Sequence, residues 1–99
     1  MNFCRSVSKS AITIPLIDQL VRSAASVGAN YIEANEAISK KDFYHRIRIC
    51  RKEAKETNYW LKLLFDNDQQ LIVKGQHLLD ESMELVKIFS AIINRRTTF

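Results

Sequence analysis

Carboxylates are the residues of this chain whose spacing comes nearest to a catalytic arrangement. Glu33 and Glu36 form one pair and Glu53 and Glu56 another, and in each pair the two glutamates lie three residues apart. On a helix this spacing puts both carboxylates on one face, where one of them can act as a general acid or base if a pocket raises its pKa. Any charged helix face produces the same spacing. We therefore interpret both pairs as solvated helix surface.

Histidine, cysteine and glycine are too few and too scattered to form a recognisable active site. Asp42 and His45 can share a helix face, but Cys50 lies five residues beyond His45 and off that face, and we interpret His77 as a surface residue. Neither of the two glycines belongs to a phosphate-binding loop, and no serine lies in a nucleophile motif. The sequence therefore predicts a protein that is not an enzyme and that holds no metal and no cofactor.

Basic residues are concentrated in the middle of the chain. Residues 40–62 hold eight Lys and Arg against three acids, a net charge of +5, whereas the formal charge of the whole chain is +4. Such a segment, folded as one helix, can follow nucleic-acid phosphates while aromatic rings stack on bases, and it can equally be a solvated helix face. The residues of this candidate surface, which we call the basic face, are Tyr44, Arg48, Arg51, Lys52, Lys55, Tyr59 and Lys62.

The compartment follows from the cysteines and the apolar runs. Cys4 and Cys50 are isolated from each other in the sequence, and no stretch near the first residue has the apolar length of a signal peptide. Apolar runs elsewhere are only a few residues long, too short for a transmembrane helix. We expect reduced thiols, a cytoplasmic location and no membrane association.

The elements that must position these residues are few and long, because the chain has only two glycines and one proline. Apolar residues recur at steps of three and four in three segments, which predicts an all-α, up-and-down antiparallel bundle in a single domain spanning residues 1–99. We expect helices at about 14–37, 40–65 and 69–95, preceded by a flexible lead-in over residues 1–13.

The helix starts carry recognisable signals. Thr13 is placed to cap the first long helix. Ser39 and Asp42 have the spacing of a capping box for the second, and Ile38 and Phe43 have that of a hydrophobic staple.

Small and apolar residues of the long helices suggest where other helices approach. Gly28 and Gly75 fall on inward faces, where the missing side chain permits a close helix crossing. Met83, Ile88 and Ala91 lie off the main apolar columns of the last helix. Their position suggests a surface that another subunit covers.

Three stretches of the chain together resemble a known family. They are residues 19–34 (QLVRSAASVGANYIEA), 41–43 (KDF) and 52–61 (KEAKETNYWL). The pattern, over roughly residues 13–93, resembles the bacterial four-helix bundle proteins, which include proteins encoded in intervening sequences of 23S ribosomal RNA genes. The accessory protein of diversity-generating retroelements is a relative of that family.

The resemblance implies a helical bundle that assembles into a ring-like homo-oligomer, a pentamer, with no enzymatic activity. In the retroelement relative a basic surface is thought to engage nucleic acid and a reverse transcriptase, and the basic face agrees with that role. Family members carry a long first helix before the motif at Gln19, whereas only some twelve irregular residues precede the first long helix here. We therefore expect three helices of a four-helix plan.

The resemblance also implies a set of polar residues that recur in the family motifs: Arg22, Asn30, Glu33 and Glu56. We interpret them as an ion-pair and hydrogen-bond network that fixes the first long helix against the second, since charges near a core must be paired.

Three hypotheses for function remain open at this point. The leading one is a non-enzymatic, homo-oligomeric scaffold whose basic helix binds the backbone of RNA or DNA. The alternative is a module for protein–protein interaction that binds no nucleic acid and whose partner is a reverse transcriptase or another protein. A third, a small hydrolase, requires Glu33 and Glu56 to line one shared cavity.

Overall fold

The protein folds into three long helices preceded by a short one. The computed structural model describes residues 2–97, with side chains described as far as residue 95. The helices are α1 (Asn2–Ser6), α2 (Thr13–Asn35), α3 (Lys40–Asn67) and α4 (Leu71–Thr97), and no strand occurs among these residues. The prediction of an all-α bundle with three long helices is confirmed. The described part of the chain contains no helix with the length and apolarity needed to cross a bilayer.

Helix α3 is the central element of the bundle. Connections of a few residues turn the chain back after α2 and again after α3, so the three long helices run antiparallel in a body of 47 × 20 × 18 Å. Helix α3 packs against α2 on one side and α4 on the other. Its buried side chains recur at helical steps and include Ile47, Cys50, Leu61 and Leu64, each with no exposed surface.

The segment before α2 holds more structure than its sequence pattern predicts. Helix α1 lies within the segment 1–13, and Phe3 and Val7, one turn apart, are buried in one core cluster. The ring of Phe3 meets that of Phe65 edge to face, with 6.1 Å between centroids. A helix of five residues has little stability of its own, so packing against α3 and α4 supplies the stability that local propensity lacks.

The start of α2 differs from the expected cap at Thr13. Thr13 is the first helical residue, and the Ser10 hydroxyl accepts hydrogen bonds from the amides of Ile12 and Thr13 at 3.2 and 3.0 Å. The Thr13 hydroxyl in turn accepts from the Ser10 amide at 2.8 Å and donates to the Ser8 carbonyl at 2.7 Å. The hydroxyls of Ser10 and Thr13 therefore bind backbone groups at the start of α2 that would otherwise have no hydrogen-bond partner.

The start of α3 contains the predicted cap but not the predicted staple. Ser39 has extended backbone and its hydroxyl accepts from the Asp42 amide at 3.1 Å. Ile38, however, is 97% exposed, so it does not pack on Phe43 and the staple prediction was wrong. The short connection after α2 directs Ile38 into solvent, a tertiary effect that the spacing alone does not show.

The two glycines differ in their surroundings. A methyl group on Gly75 would lie 2.5 Å from Phe3 Cε1 and 2.7 Å from Phe65 Cε1, so two aromatic rings occupy the space of the missing side chain. The predicted close approach at Gly75 is thus confirmed. Gly28 is exposed, and no atom of another helix lies within 4 Å of such a methyl group, so the same prediction was wrong there.

Helices α2 and α4 leave a shallow apolar cavity between them above α3. It measures about 140 Å³, and its walls include Ala24 and Val27 of α2 and Leu78 and Leu85 of α4. Helix α1 packs beside the same core only toward the end that contains Phe65. Met83, Ile88 and Ala91 are exposed, as expected for residues off the main columns.

Candidate nucleic-acid interface

The basic face lies on the side of α3 that turns away from the core. Arg48, Lys52, Lys55 and Lys62 are exposed and Arg51 is half-buried. At 100° per residue, all five cations fall within an arc of about 100° around the helix axis. The regular helix therefore brings together in space the cations that the sequence groups.

The two tyrosines of the basic face have different environments. Tyr59 is 54% exposed, and its ring meets that of Trp60 edge to face with 4.9 Å between centroids. Tyr44 is half-buried and meets Phe43 edge to face at 5.3 Å. Tyr59 is thus the more accessible of the two aromatic rings.

An arginine of α2 binds two glutamates on the flank of α3 that faces α2. Arg22 donates from Nη1 to Glu53 Oε2 and from Nη2 to Glu56 Oε1, each at 3.0 Å, and from Nε to Gln19 Oε1 at 2.9 Å. The side chain of Glu53 is only 8% exposed, and that of Glu56 is 34% exposed. Between positions 43 and 65 these glutamates are the only acids of the sequence. Both are therefore paired with a cation of α2, with Glu53 nearly buried and Glu56 at the edge of the basic face.

The cations of the basic face have no comparable partners. Arg22 makes two ion pairs, whereas in the described part of the chain no ion pair involves Arg48, Arg51, Lys52, Lys55 or Lys62. Four of these cations and Glu56 surround a surface depression of about 380 Å³. The result is a strip of uncompensated positive charge on the central helix.

The polar network implied by the resemblance is divided between two sites. Arg22 and Glu56 meet at the first site, together with Glu53. Asn30 belongs to the second, where its Nδ2 donates to the Ser26 carbonyl at 2.9 Å and its Oδ1 accepts from Arg46 Nη1 at 3.1 Å. Both sites join α2 to α3, so three of the four residues, Arg22, Asn30 and Glu56, connect these helices.

Glu33 takes part in neither site. It is exposed and lines a separate depression with Glu36, Asp42, His45 and others near the connection between α2 and α3. Glu33 and Glu56 therefore do not share a cavity, which removes the geometric condition of the hydrolase hypothesis. Over the described residues, no three histidine, cysteine or carboxylate side chains are placed to hold a metal ion.

The sequence reasoning missed three residues of this surface and its supports. Glu53 was interpreted, as a member of the Glu53/Glu56 pair, as solvated helix surface; this was wrong, because its side chain is only 8% exposed and pairs with Arg22. Arg46 was not linked to Asn30. Lys87 of α4 lies beside Lys55 and Lys62 in a trough between α3 and α4. Helical periodicity gives the face on which each residue lies, but the partner across a helix crossing depends on the relative rotation of the two helices.

Comparison with known proteins decides the family. A family model described as 23S rRNA-intervening sequence protein matches residues 2–91. The chain belongs to this family. The resemblance in residues 19–34, 41–43 and 52–61 is thereby confirmed.

A solved structure shares the fold of this family member. It is the crystal structure, at 1.70 Å resolution, of a protein with unknown function from the S23 ribosomal protein family of Bacteroides thetaiotaomicron VPI-5482. The two chains are 37% identical with a TM-score of 0.74, and the match covers 80% of this chain and 70% of that one. No curated protein matches this chain. Neither the family description nor that of the solved structure names a catalytic activity.

Proposed function

We propose that this protein is a non-enzymatic helical scaffold whose basic face binds the phosphate backbone of RNA or DNA. The observation that carries the proposal is the separation of charge on α3. Arg22 holds Glu53 and Glu56 on the flank next to α2, while the five cations of the basic face have no carboxylate partner in the described chain. Phosphates supply the missing counter-charges.

The dimensions of the basic face suit a nucleic-acid backbone. Arg48 and Lys62 are the first and last of its cations, and at 1.5 Å per residue they are about 21 Å apart along the helix. Cations on such a strip contact several successive phosphates and release the counterions condensed on them. Contacts to phosphates do not read sequence, so the binding is expected to tolerate many sequences.

A fluorescence anisotropy titration at low ionic strength tests this function. A labelled RNA or DNA oligonucleotide is expected to bind, with an affinity that falls steeply as salt is added. Absence of binding at about 50 mM salt, or an affinity that salt does not change, contradicts the proposal.

The alternative, a protein-interaction module, is favoured by the residue types beside the cations. Tyr59 and Met83 are 54% and 46% exposed, and tyrosine and methionine are enriched at protein interfaces. In this reading the partner is a reverse transcriptase or another protein. Co-purification of one protein partner that survives nuclease treatment, together with no affinity for oligonucleotides, supports the alternative over nucleic-acid binding.

Homo-oligomerisation, which the resemblance implies, stays a prediction. Several large apolar side chains of α2 and α4 are exposed, including Val21 and Ile32 on α2 and Ile88 on α4. Their burial in an assembly would remove apolar surface from water. Light scattering of the purified chain is expected to give a mass of several subunits, whereas the mass of a stable monomer would contradict homo-oligomerisation.

A further inference from the structure

A trough between α3 and α4 combines positive charge with apolar surface. It measures about 350 Å³, at the lower end of the range for small-molecule sites, and is open on one side. Its lining residues are Lys55, Asn58 and Lys62 of α3 and Met83, Val86 and Lys87 of α4.

The side chains of the trough suit a nucleobase with its flanking phosphates. The three lysines are exposed cations, and Met83 offers an apolar, polarisable surface that is 46% exposed. Asn58 Nδ2 donates to Ser82 Oγ at 3.2 Å, and in the described chain no donor reaches Asn58 Oδ1. That oxygen is therefore available to accept a hydrogen bond from a base.

Tyr59 provides a second surface for a base next to the trough. It follows Lys55 by one turn and precedes Lys62 by three residues, so lysines lie on both sides of it along the helix. Its ring is 54% exposed, and the edge-to-face contact with Trp60 supports it from one side. An accessible tyrosine between phosphate-binding cations is the arrangement by which proteins stack single-stranded bases.

A duplex cannot use these groups in the same way. Its bases are stacked on each other, so a duplex offers the basic face only phosphates, sugars and groove edges. A single strand can turn its bases out onto aromatic and apolar side chains. The ring of Tyr59 and the surface of Met83 therefore contribute to binding only when the bases are unpaired.

We propose that this protein binds single-stranded nucleic acid in preference to duplex, with one base stacked on Tyr59 and a neighbouring base in the trough. The phosphates on either side contact Lys55, Lys62 and Lys87. This inference rests on the proposed function of the basic face, since it names the class of nucleic acid that this face takes.

The test compares a labelled oligouridylate of about 16 nucleotides with a hairpin duplex that has the same number of phosphates. Tyr59→Leu keeps an apolar side chain beside Trp60 but removes the aromatic face. It is expected to weaken single-strand binding by about 5-fold to about 140-fold and to leave duplex binding unchanged. Tyr59→Trp is expected to restore single-strand affinity.

Matched variants separate the site from general effects. Tyr31→Leu removes a tyrosine of similar exposure, 46%, from α2 and is expected to change neither affinity. Lys87→Ala removes the cation that only the trough uses and is expected to lower the single-strand salt slope by about one. An oligodeoxythymidylate of equal length tests whether the site distinguishes DNA from RNA. Similar affinity for the two strands is expected, because phosphates and base faces are common to both.

The outcomes distinguish this inference from the proposed function. If the single strand and the duplex bind equally well, or if Tyr59→Leu changes single-strand binding no more than Tyr31→Leu, the inference is wrong while the proposed function stands. If Lys87→Ala leaves the salt slope unchanged, the trough is not part of the site. If neither nucleic acid binds, and a protein is retained from a nuclease-treated lysate instead, both fail.

Discussion

Replacing three cations of the basic face changes the salt dependence of nucleic-acid binding by an amount that the structure allows to be calculated. All five cations are free of carboxylate partners, so each can neutralise one phosphate. With about 0.7 to 0.9 counterions released per contact, the logarithmic salt slope is about −3.5 to −4.5. Between 50 and 200 mM salt the affinity then falls by about 100-fold to 500-fold.

The variant Arg48→Ala/Arg51→Ala/Lys55→Ala leaves two cations, Lys52 and Lys62. Its slope is expected to be about −1.4 to −1.8, and its affinity to fall only about 10-fold over the same salt range. Fluorescence anisotropy with a labelled hairpin duplex, which does not use Lys87 of the trough, measures both slopes at four or more salt concentrations.

A control variant loses the same charge elsewhere. Arg5, Lys9 and Lys74 are exposed cations outside the basic face. A variant with all three changed to Ala is expected to have the same salt slope as the parent chain. Circular dichroism spectra show whether each variant retains its helices. Equal slopes for the basic-face variant and the parent chain, or an equal reduction in the control, would refute the assignment of this face.

Three further predictions concern stability and thiol ionisation. Arg22→Ala leaves the buried Glu53 carboxylate without its partner and is expected to lower the free energy of unfolding in urea by about 1 to 3 kcal/mol, part of which Glu53→Gln restores; no loss contradicts the pairing. Gly75→Ala forces two aromatic rings to move, which costs about 1 to 3 kcal/mol of stability, whereas the gain in helix propensity is about 1 kcal/mol. A lower melting temperature is therefore expected, and a higher one contradicts the close approach. Burial raises the pKa of the Cys50 thiol, so the unfolded chain loses this proton at lower pH than the folded protein. Stability is therefore expected to fall as pH rises above about 8.5, and Cys50→Ala to reduce that fall in melting scans at neutral and alkaline pH; an identical fall in both chains contradicts it.

The long helices were predictable because their signals are local. Apolar steps of three and four residues located all three, and the ends of α2, α3 and α4 lie within a few residues of the positions expected from the pattern. Ser39 is a cap whose function needs only the next three residues, and the structure contains its hydrogen bond to the Asp42 amide.

Features that depend on tertiary contacts were not predictable in the same way. The staple at Ile38 had the right spacing, but the chain direction after α2 leaves that side chain 97% exposed. The inward placement of Gly28 followed from periodicity, yet the residue lies on a side of α2 that nothing covers in the described chain. The sequence of helix α1 has no helical periodicity beyond the apolar residues Phe3 and Val7. Its helix was therefore missed, because it is stabilised by contacts with α3 and α4 and not by a local signal.

The candidate site shows the same division. The cations of the basic face were grouped correctly on one side of α3, because one helix carries all of them. The pairing of Glu53 with Arg22, and the approach of Lys87 to Lys55, depend on how neighbouring helices are rotated about their axes. No residue pattern within a single helix contains that rotation.

The most direct test of the central claim is to map where a nucleic acid touches the protein. An oligouridylate that carries photo-reactive 4-thiouridine is crosslinked to the intact chain at low salt, and the crosslinked peptides are identified by mass spectrometry. The basic face predicts crosslinks within residues 44–62, with Tyr59 the foremost position, and a second group at residues 83–87. Crosslinks confined to α2, or none at a protein concentration that saturates binding, would contradict the claim.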